Sequence, residues 1–465
     1  MIDLLLINPP RQKNGNSSLF NNSLLWIASY LEEKDISVEI LFLKNEFEYI
    51  LQSKLEKLKP KFVGISLKWW DTLYGAEYIA KKVKEFDSEI FVFCGGQTAT
   101  HYAKDILENS FFDAVVKGDG EEGVFSLIKG ENYKNCIIKK DNQLFSYEKD
   151  YVQTNESIKD LKISSITANK FKYWSGVSNY IWTGKGCAMN CFYCGGGREG
   201  QKEIFGRLGY IYRDVDSVIS DIELLTSKSK SNSFMLDYDP LAIGKEEFYK
   251  NLFAKLEKKK YSCEFYFWTL PSKEFIDLMS ETFDKLIFGF DLQVFSEKLR
   301  KKLAKLNFIK PIFYTNEFFE DILDYCKIKK NITVGISGLL GVPYETKEDI
   351  EEIYILCEKL YNKYDNIHNI SFSPITLEPA SALITYPEKY GVEVLRKNYF
   401  DFKEYTKEVF ETNFLDDVFS NYAQYLKYTG VKRIGFDEEF IFKTCFKIQK
   451  DVTEKFISRF YKIQK

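Results

Sequence analysis

The sequence predicts an α/β protein made of two successive parallel-sheet units and a mostly helical tail. Three observations predict it. Short apolar runs alternate with helical stretches through the first third of the chain. Six further repeats of strand then helix follow, and residues 399–465 read as helices with one break near YTGVKRIGFDEE. A chain of 465 residues is too long for one ordinary domain. With 45% hydrophobic residues, including 40 Phe and 31 Tyr, it can bury large cores.

In the first unit, residues 1–130, the strand-like runs are DLLLINPP, VEILFL, FVGISL, EIFVFCGG and DAVVKGDGE. Between them lie LLWIASYLEEK, a lysine-rich stretch over 49–59, AEYIAKKVKEF and TATHYAKDILEN. Each has apolar residues three and four apart, which gives one buried helical face. Five strands alternating with helices make an open parallel sheet. Several runs end in Gly or Pro at the C-terminal edge, where such sheets bind ligands. Residues 131–172 are polar, with weak strand signals in CIIKK and QLFSY, and read as a connector or small hairpin.

The second unit, residues 173–398, opens with NYIWTGKG and continues through NSFMLDYDP, CEFYFWTLP, KLIFGFDLQ, ITVGISGLLGVP and NISFSPITLEP. Helical stretches such as DVDSVISDIELL and KEDIEEIYILCEKL separate them. Thr346, three residues before Asp349, suits a helix cap. Such a series closes into a full or partial parallel barrel with its site at the strands' C-terminal ends.

Net charge is −3, from 65 basic and 68 acidic residues. That balance lacks the basic footprint of a nucleic-acid binder. The start, MIDLLLINPP, is too short an apolar run for a signal peptide, and no stretch approaches a membrane span. The expected location is the cytoplasm, where nine cysteines are reduced thiols or metal ligands rather than disulfides. Only His101 and His368 occur, so histidine-built metal sites and triads are nearly excluded.

Cys187, Cys191 and Cys194 form C-x3-C-x2-C within GCAMNCFYCGGG, with Tyr193 before the last cysteine. Thiolates suit zinc or iron–sulfur clusters. A structural zinc takes four ligands, and no fourth Cys or His lies nearby in sequence. Three thiolates on a cubane leave one iron open for a substrate. A zinc or redox cysteine cluster is the alternative. Gly195, Gly196 and Gly197 either bring backbone close to the bound group or form a plain turn.

This motif, placed after a strand and followed by the barrel pattern, resembles the signature of the radical S-adenosylmethionine (SAM) superfamily. The resemblance implies a [4Fe-4S] cluster on the three cysteines, SAM chelated by the open iron, and a 5′-deoxyadenosyl radical that abstracts hydrogen from substrate. It implies SAM-binding roles for Asp237 and Asp239 at the second barrel strand, Gln293 at the fourth and Gly338 at the fifth, with Gly341 beside it. Bland readings stand beside these: a turn with Asp before Pro, and packing glycines.

The ordered segments NPP, FVGIS, FVFCGGQTATHY and FDAVVKGDGEEG resemble the cobalamin-binding domain that precedes many radical SAM domains. The resemblance implies a flavodoxin-like doubly wound sheet. Gly95, Gly96, Gly118 and Gly120 would give its cofactor close approach to backbone, although tight turns also explain glycine. Acidic Glu121 and Glu122 suit a helix start in any case. The loop PPRQKNGNSSLF carries no histidine, so cobalamin is expected without histidine ligation. The lower face is then empty or covered by SLKWWDTLY, with Lys68, Trp69 and Trp70; packing is the alternative for the tryptophans.

The reading is a cobalamin-dependent radical SAM methyltransferase acting on an unactivated carbon of a small molecule or peptide. An electron donor such as flavodoxin or ferredoxin is implied. Cobalamin-linked cyclisation, rearrangement or oxidation without methyl transfer is the alternative. A non-catalytic cysteine-metal binding module is the alternative of another class. The tail from about Tyr399 either caps the barrel or serves packing or dimer contact.

Overall fold

The computed structural model describes residues 2–13, 22–44, 46–147, 151–170, 179–236, 246–311, 313–412, 418 and 421–463. Its first sheet contains β1 (Leu4–Asn8), β2 (Val38–Phe42), β3 (Phe62–Ser66), β4 (Phe91–Gly95), β5 (Ala114–Val116), β6 (Cys136–Lys140) and β7 (Gln143–Ser146). Spatial order is β2-β1-β3-β4-β5-β6-β7. The first five strands are parallel, in the flavodoxin-like order. The β6–β7 hairpin, which sequence placed in a connector, adds to the sheet antiparallel to β5. Leu5, Ile7, Val63, Ile65, Val92 and Cys94 are fully buried, as strands covered on both faces require.

The second half begins with β8 (Asn179–Ile181), β9 (Gly184–Cys187) and β10 (Gly209–Tyr212), then β11 (Ser233–Leu236), β12 (Ser262–Phe267), β13 (Leu286–Gln293), β14 (Ile332–Leu340) and β15 (Ile367–Pro374). Six of these form a parallel sheet in the order β15-β14-β13-β12-β11-β8, a partial (β/α)6 barrel. NYIWTGKG is not one strand, as the sequence reading had it. It splits into β8, in the barrel, and β9, which leaves to pair antiparallel with β10. The cause is glycine: a Cβ on Gly184 would sit 2.3 Å from the Ile211 carbonyl, and one on Gly186, at φ 95°, 2.1 Å from the Gly209 carbonyl. Only bare backbone can make that ribbon.

Phe265, Phe267, Phe288, Phe290 and Phe319 pack edge-on, tilted and stacked in the barrel core. Helix Lys347–Lys363 starts in the capping box of Thr346 and Asp349 that the sequence suggested.

The tail does more than extend as helices. The break holds β17 (Val431–Arg433), paired with β16 (Val392–Val394). Helix Tyr399–Glu411 packs on helix Leu73–Phe86 of the first unit, not on the barrel alone. There the Glu77 carboxylate accepts from the Tyr399 hydroxyl and meets Lys403 Nζ at 2.6 Å. No described helix is long and apolar enough to cross a membrane.

Candidate functional site

The C-terminal edges of both sheets open into one cavity of about 590 Å³. Its first wall comes from the ends of β3, β4 and β5: Gly64, Ser66, Lys68, Trp69, Gly95, Gly96, Gly118, Gly120 and Glu121. Its second wall comes from the barrel side: Lys185, the cysteine loop, Arg207, Trp268, Asp291, Gln293 and Lys310. Parallel sheets bind ligands at this edge because loops there are free to vary and helix N-termini point inward.

Cys187, Cys191 and Cys194 all line the cavity and are partly exposed. Among the described residues, no three His, Cys, Asp or Glu side chains converge on a single-ion site. A structural zinc takes four ligands, and three thiols face this cavity. They fit a four-iron cluster, which takes one thiolate per corner. Burial pushes the Cys187 and Cys191 thiols up and Cys194 well above the usual range. A bound metal supplies the charge that deprotonates such groups. The six other cysteines are buried.

Gln293 anchors the loop to β13. It is buried, sits at a β-bulge, and holds a left-handed φ of 59° that a non-glycine residue rarely adopts. Its Nε2 donates to the Tyr193 hydroxyl at 2.5 Å and to Cys191 Sγ at 3.6 Å. Its Oε1 accepts from the Lys310 backbone N–H at 3.3 Å. The Lys310 ammonium donates to the Trp268 and Asp291 carbonyls and to Asp291 Oδ2, at 2.7 to 2.9 Å. From the loop after β15, Glu378 accepts the Gly195 N–H at 2.8 Å; burial pushes its carboxyl up.

On the first wall, Gly96 adopts φ 116° and a Cβ there would meet the Lys68 backbone nitrogen at 2.7 Å. That clash fixes glycine at this turn. Gly118, at φ 67°, donates to Thr100 Oγ1 at 2.9 Å. The loop after β5 is tied across to the barrel side. Asp119 takes the Arg207 guanidinium at 2.8 Å, and Lys185 Nζ sits 3.2 Å from Glu121 Oε1. Both acids are buried. The second oxygen, Glu121 Oε2, has no hydrogen-bond partner among the described residues. A ligand rimmed with carboxamide N–H donors matches that acceptor and the glycine-walled cradle, which is the chemistry of a corrin.

Eight of the eleven residues singled out by sequence line this cavity: the three cysteines, Gly95, Gly96, Gly118, Gly120 and Gln293. Asp237 and Asp239 lie outside the described residues. Gly338 is a correction. It does not line the cavity, and its bare face is filled by the rings of Phe295 and Phe372, which a Cβ would meet at 2.7 and 3.0 Å. It is a packing glycine. Trp69 and Lys68 reach the cavity, with Lys68 Nζ over the Trp69 and Trp182 rings at 4.9 and 4.5 Å. Trp70 instead packs on Phe402 and Tyr405. Neither histidine lines the cavity; His101 Nδ1 pairs with Glu203 at 2.9 Å. Sequence reasoning missed Asp119, Lys185, Arg207, Lys310 and Glu378. Asp119 stands inside the quoted GDGEE, but nothing local marks the partners that reach it from residues 185 and 207.

Residues 16–127 match the B12 binding domain family, and residues 182–357 match the radical SAM superfamily. Two solved structures of the radical S-adenosylmethionine methyltransferase TsrM from Kitasatospora setae share the fold. The one with cobalamin and a [4Fe-4S] cluster bound is 18% identical, with TM-score 0.66, covering 84% of this chain and 80% of that one. The one with tryptophan substrate and the SAM analogue aza-SAM is 17% identical, with TM-score 0.68, covering 86% and 79%. No curated protein sequence matches the chain. With a glycine-walled cavity edge on one and a three-cysteine loop on the other, the chain carries a B12 binding domain followed by a radical SAM domain, and these domains imply cobalamin, a [4Fe-4S] cluster and SAM as cofactors.

Proposed function

We propose that this enzyme is a methyltransferase that places a methyl group on an unactivated carbon of a small molecule or peptide. One observation carries the reading: the glycine cradle of the first sheet and the cysteine loop of the barrel line the same cavity. When bound, the cluster and SAM supply hydrogen-atom abstraction through a 5′-deoxyadenosyl radical, and cobalamin supplies the methyl group.

The chain's own residues do the rest. Cys187, Cys191 and Cys194 hold the cluster. Gln293 fixes the loop's position through Tyr193 and Cys191. Gly95, Gly96, Gly118 and Gly120 would let the corrin and its nucleotide tail lie against backbone, and Glu121 Oε2, which lacks a partner among the described residues, would accept a carboxamide N–H. Neither histidine lines the cavity, whereas Lys68 and Trp69 do, so the Lys68–Trp69 segment would offer a bound corrin apolar cover without histidine ligation, the alternative being an open lower face. The Lys185–Glu121 and Arg207–Asp119 pairs tie the two walls of the chamber together. Tryptophan as the bound substrate of a TsrM structure favours a small molecule here. Reduced thiols throughout suit the cytoplasm.

The test is anaerobic reconstitution with iron, sulfide and cobalamin, followed by titanium(III) citrate, as one-electron reductant of cluster and cobalamin, and SAM carrying a deuterated methyl group. The reading expects deoxyadenosine and recovery of the label on the corrinoid. Deoxyadenosine without label on the corrinoid would favour cyclisation, rearrangement or oxidation instead.

A further inference from the structure

The cysteine loop has two sides. Cys191, Tyr193 and Cys194 line the cavity, but Phe192 between them does not. Phe192 is buried among other rings: it stacks on Tyr390 at 5.1 Å and tilts against Phe308 at 6.3 Å. Its N–H donates to the Phe308 carbonyl at 2.8 Å, and its own carbonyl accepts from the Leu383 N–H at 2.9 Å. Phe308 stacks with Tyr344, which is exposed, at 6.3 Å. Lys302 Nζ lies 3.7 Å over the Tyr344 ring, and Lys389 Nζ lies 5.6 Å from both the Phe308 and Tyr390 rings. Outward from the thiols, the order is therefore buried ring, second ring, then ammonium groups at the surface.

Those ammonium groups are not alone. Lys298, Lys301, Lys302 and Lys305 are exposed on the helix Glu297–Lys305, and Lys389 is exposed beside them. The acids on these segments are Glu388 and Glu297, whose carboxylate is engaged with the Asn316 N–H at 2.7 Å. The chain as a whole is acidic by three charges, so this basic face stands out from the average surface.

We propose that this face docks an acidic one-electron carrier protein, a flavodoxin, which reduces the cluster from behind the cysteine loop. The proposal rests on the cluster assignment above. The cavity side of the loop is where SAM and corrin bind, so an electron arriving by protein contact comes from the other side. One electron leaves the reduced flavin of the carrier, which is oxidised by one electron, and the cluster is reduced by one. No bond or proton changes hands at the docking face. Opposite charge steers such encounters and makes them sensitive to salt.

The experiment compares wild type with Lys302→Glu/Lys305→Glu, and with Lys57→Glu/Lys81→Glu as a control of equal charge change on the first domain. Flavodoxin binding to the reconstituted holoenzyme is read by surface plasmon resonance, and cluster reduction by stopped-flow absorbance with either flavodoxin or dithionite. The expected result at low salt is about a tenfold weaker binding and slower flavodoxin-driven reduction in the docking-face variant. Control and wild type should agree, dithionite should reduce all three alike, and added salt should narrow the gap. Binding and reduction equal to wild type would overturn the proposal. So would a loss in which dithionite reduction falls in step, because the substitutions would then act on the cluster itself. Failure to assemble any cluster would count against the proposed function instead, and the binding comparison reads docking without turnover.

Discussion

The two sheets furnish one cavity in opposite ways. The first is rich in glycine, with Gly95, Gly96, Gly118 and Gly120 exposing backbone between mostly apolar side chains such as Leu24, Ile27 and Phe93. The second presents reactive and charged side chains: three thiols, a strained Gln293, and buried Lys310 paired with half-buried Asp291. A surface meant to receive a large preformed macrocycle needs shape, which glycine supplies by removing side chains. A surface meant to hold a metal cluster and direct a radical needs donors at fixed points, which strain and buried hydrogen bonds supply.

Substitutions should separate the two walls. The largest effect is expected on the second. Cys191→Ala should lose the cluster and lower SAM cleavage by at least about a hundredfold, while the first wall still binds cobalamin; iron content and corrin absorbance check both. Gly96→Ala should do the reverse. Its φ of 116° and its clash with the Lys68 backbone should cost about 1–3 kcal/mol and weaken cobalamin retention, with iron content unchanged. Loss of iron in Gly96→Ala would break the division between the walls.

Gln293→Leu sharpens the account of the second wall. It leaves the half-buried Tyr193 hydroxyl without the Gln293 donor, a loss worth about 1 kcal/mol. SAM cleavage should fall about tenfold with most iron retained, and thermal unfolding should show the lowered stability.

The smallest effect lies away from the cavity. Burial pushes the Glu345 carboxyl up to about 7, against the pull of Arg433 and the Gly341 N–H. Between its ordinary range and pH 7 the unfolded chain has released this proton and the native chain has not. The native state therefore binds more protons, and stability from this group falls as pH rises through that window. Glu345→Gln should flatten that part of the stability–pH curve, measured by denaturant unfolding from pH 4.5 to 8. Arg433 keeps Glu438 as a partner at 3.2 Å in the variant.

What the sequence made legible follows the same division. Both sheets could be read because strand and helix periodicities are local. The cysteine spacing and the glycine turns are local too, and they led to the cavity. Gly338 misled because a glycine bared for Phe295 and Phe372 looks the same in sequence as one bared for a ligand. NYIWTGKG misled because the departure of β9 depends on glycine contacts with Gly209 and Ile211, far along the chain. The Asp119–Arg207 and Glu121–Lys185 pairs span 88 and 64 residues, and no periodicity encodes such a pairing. The tail's docking on helix Leu73–Phe86 was hidden for the same reason.

The central claim is that corrin and cluster occupy one chamber. Pulsed electron paramagnetic resonance on enzyme loaded with cob(II)alamin and a reduced cluster tests it most directly. The account predicts clear spin–spin coupling between the two centres, lost when Gly96→Ala sheds the corrin. Two fully loaded but magnetically independent centres would contradict it.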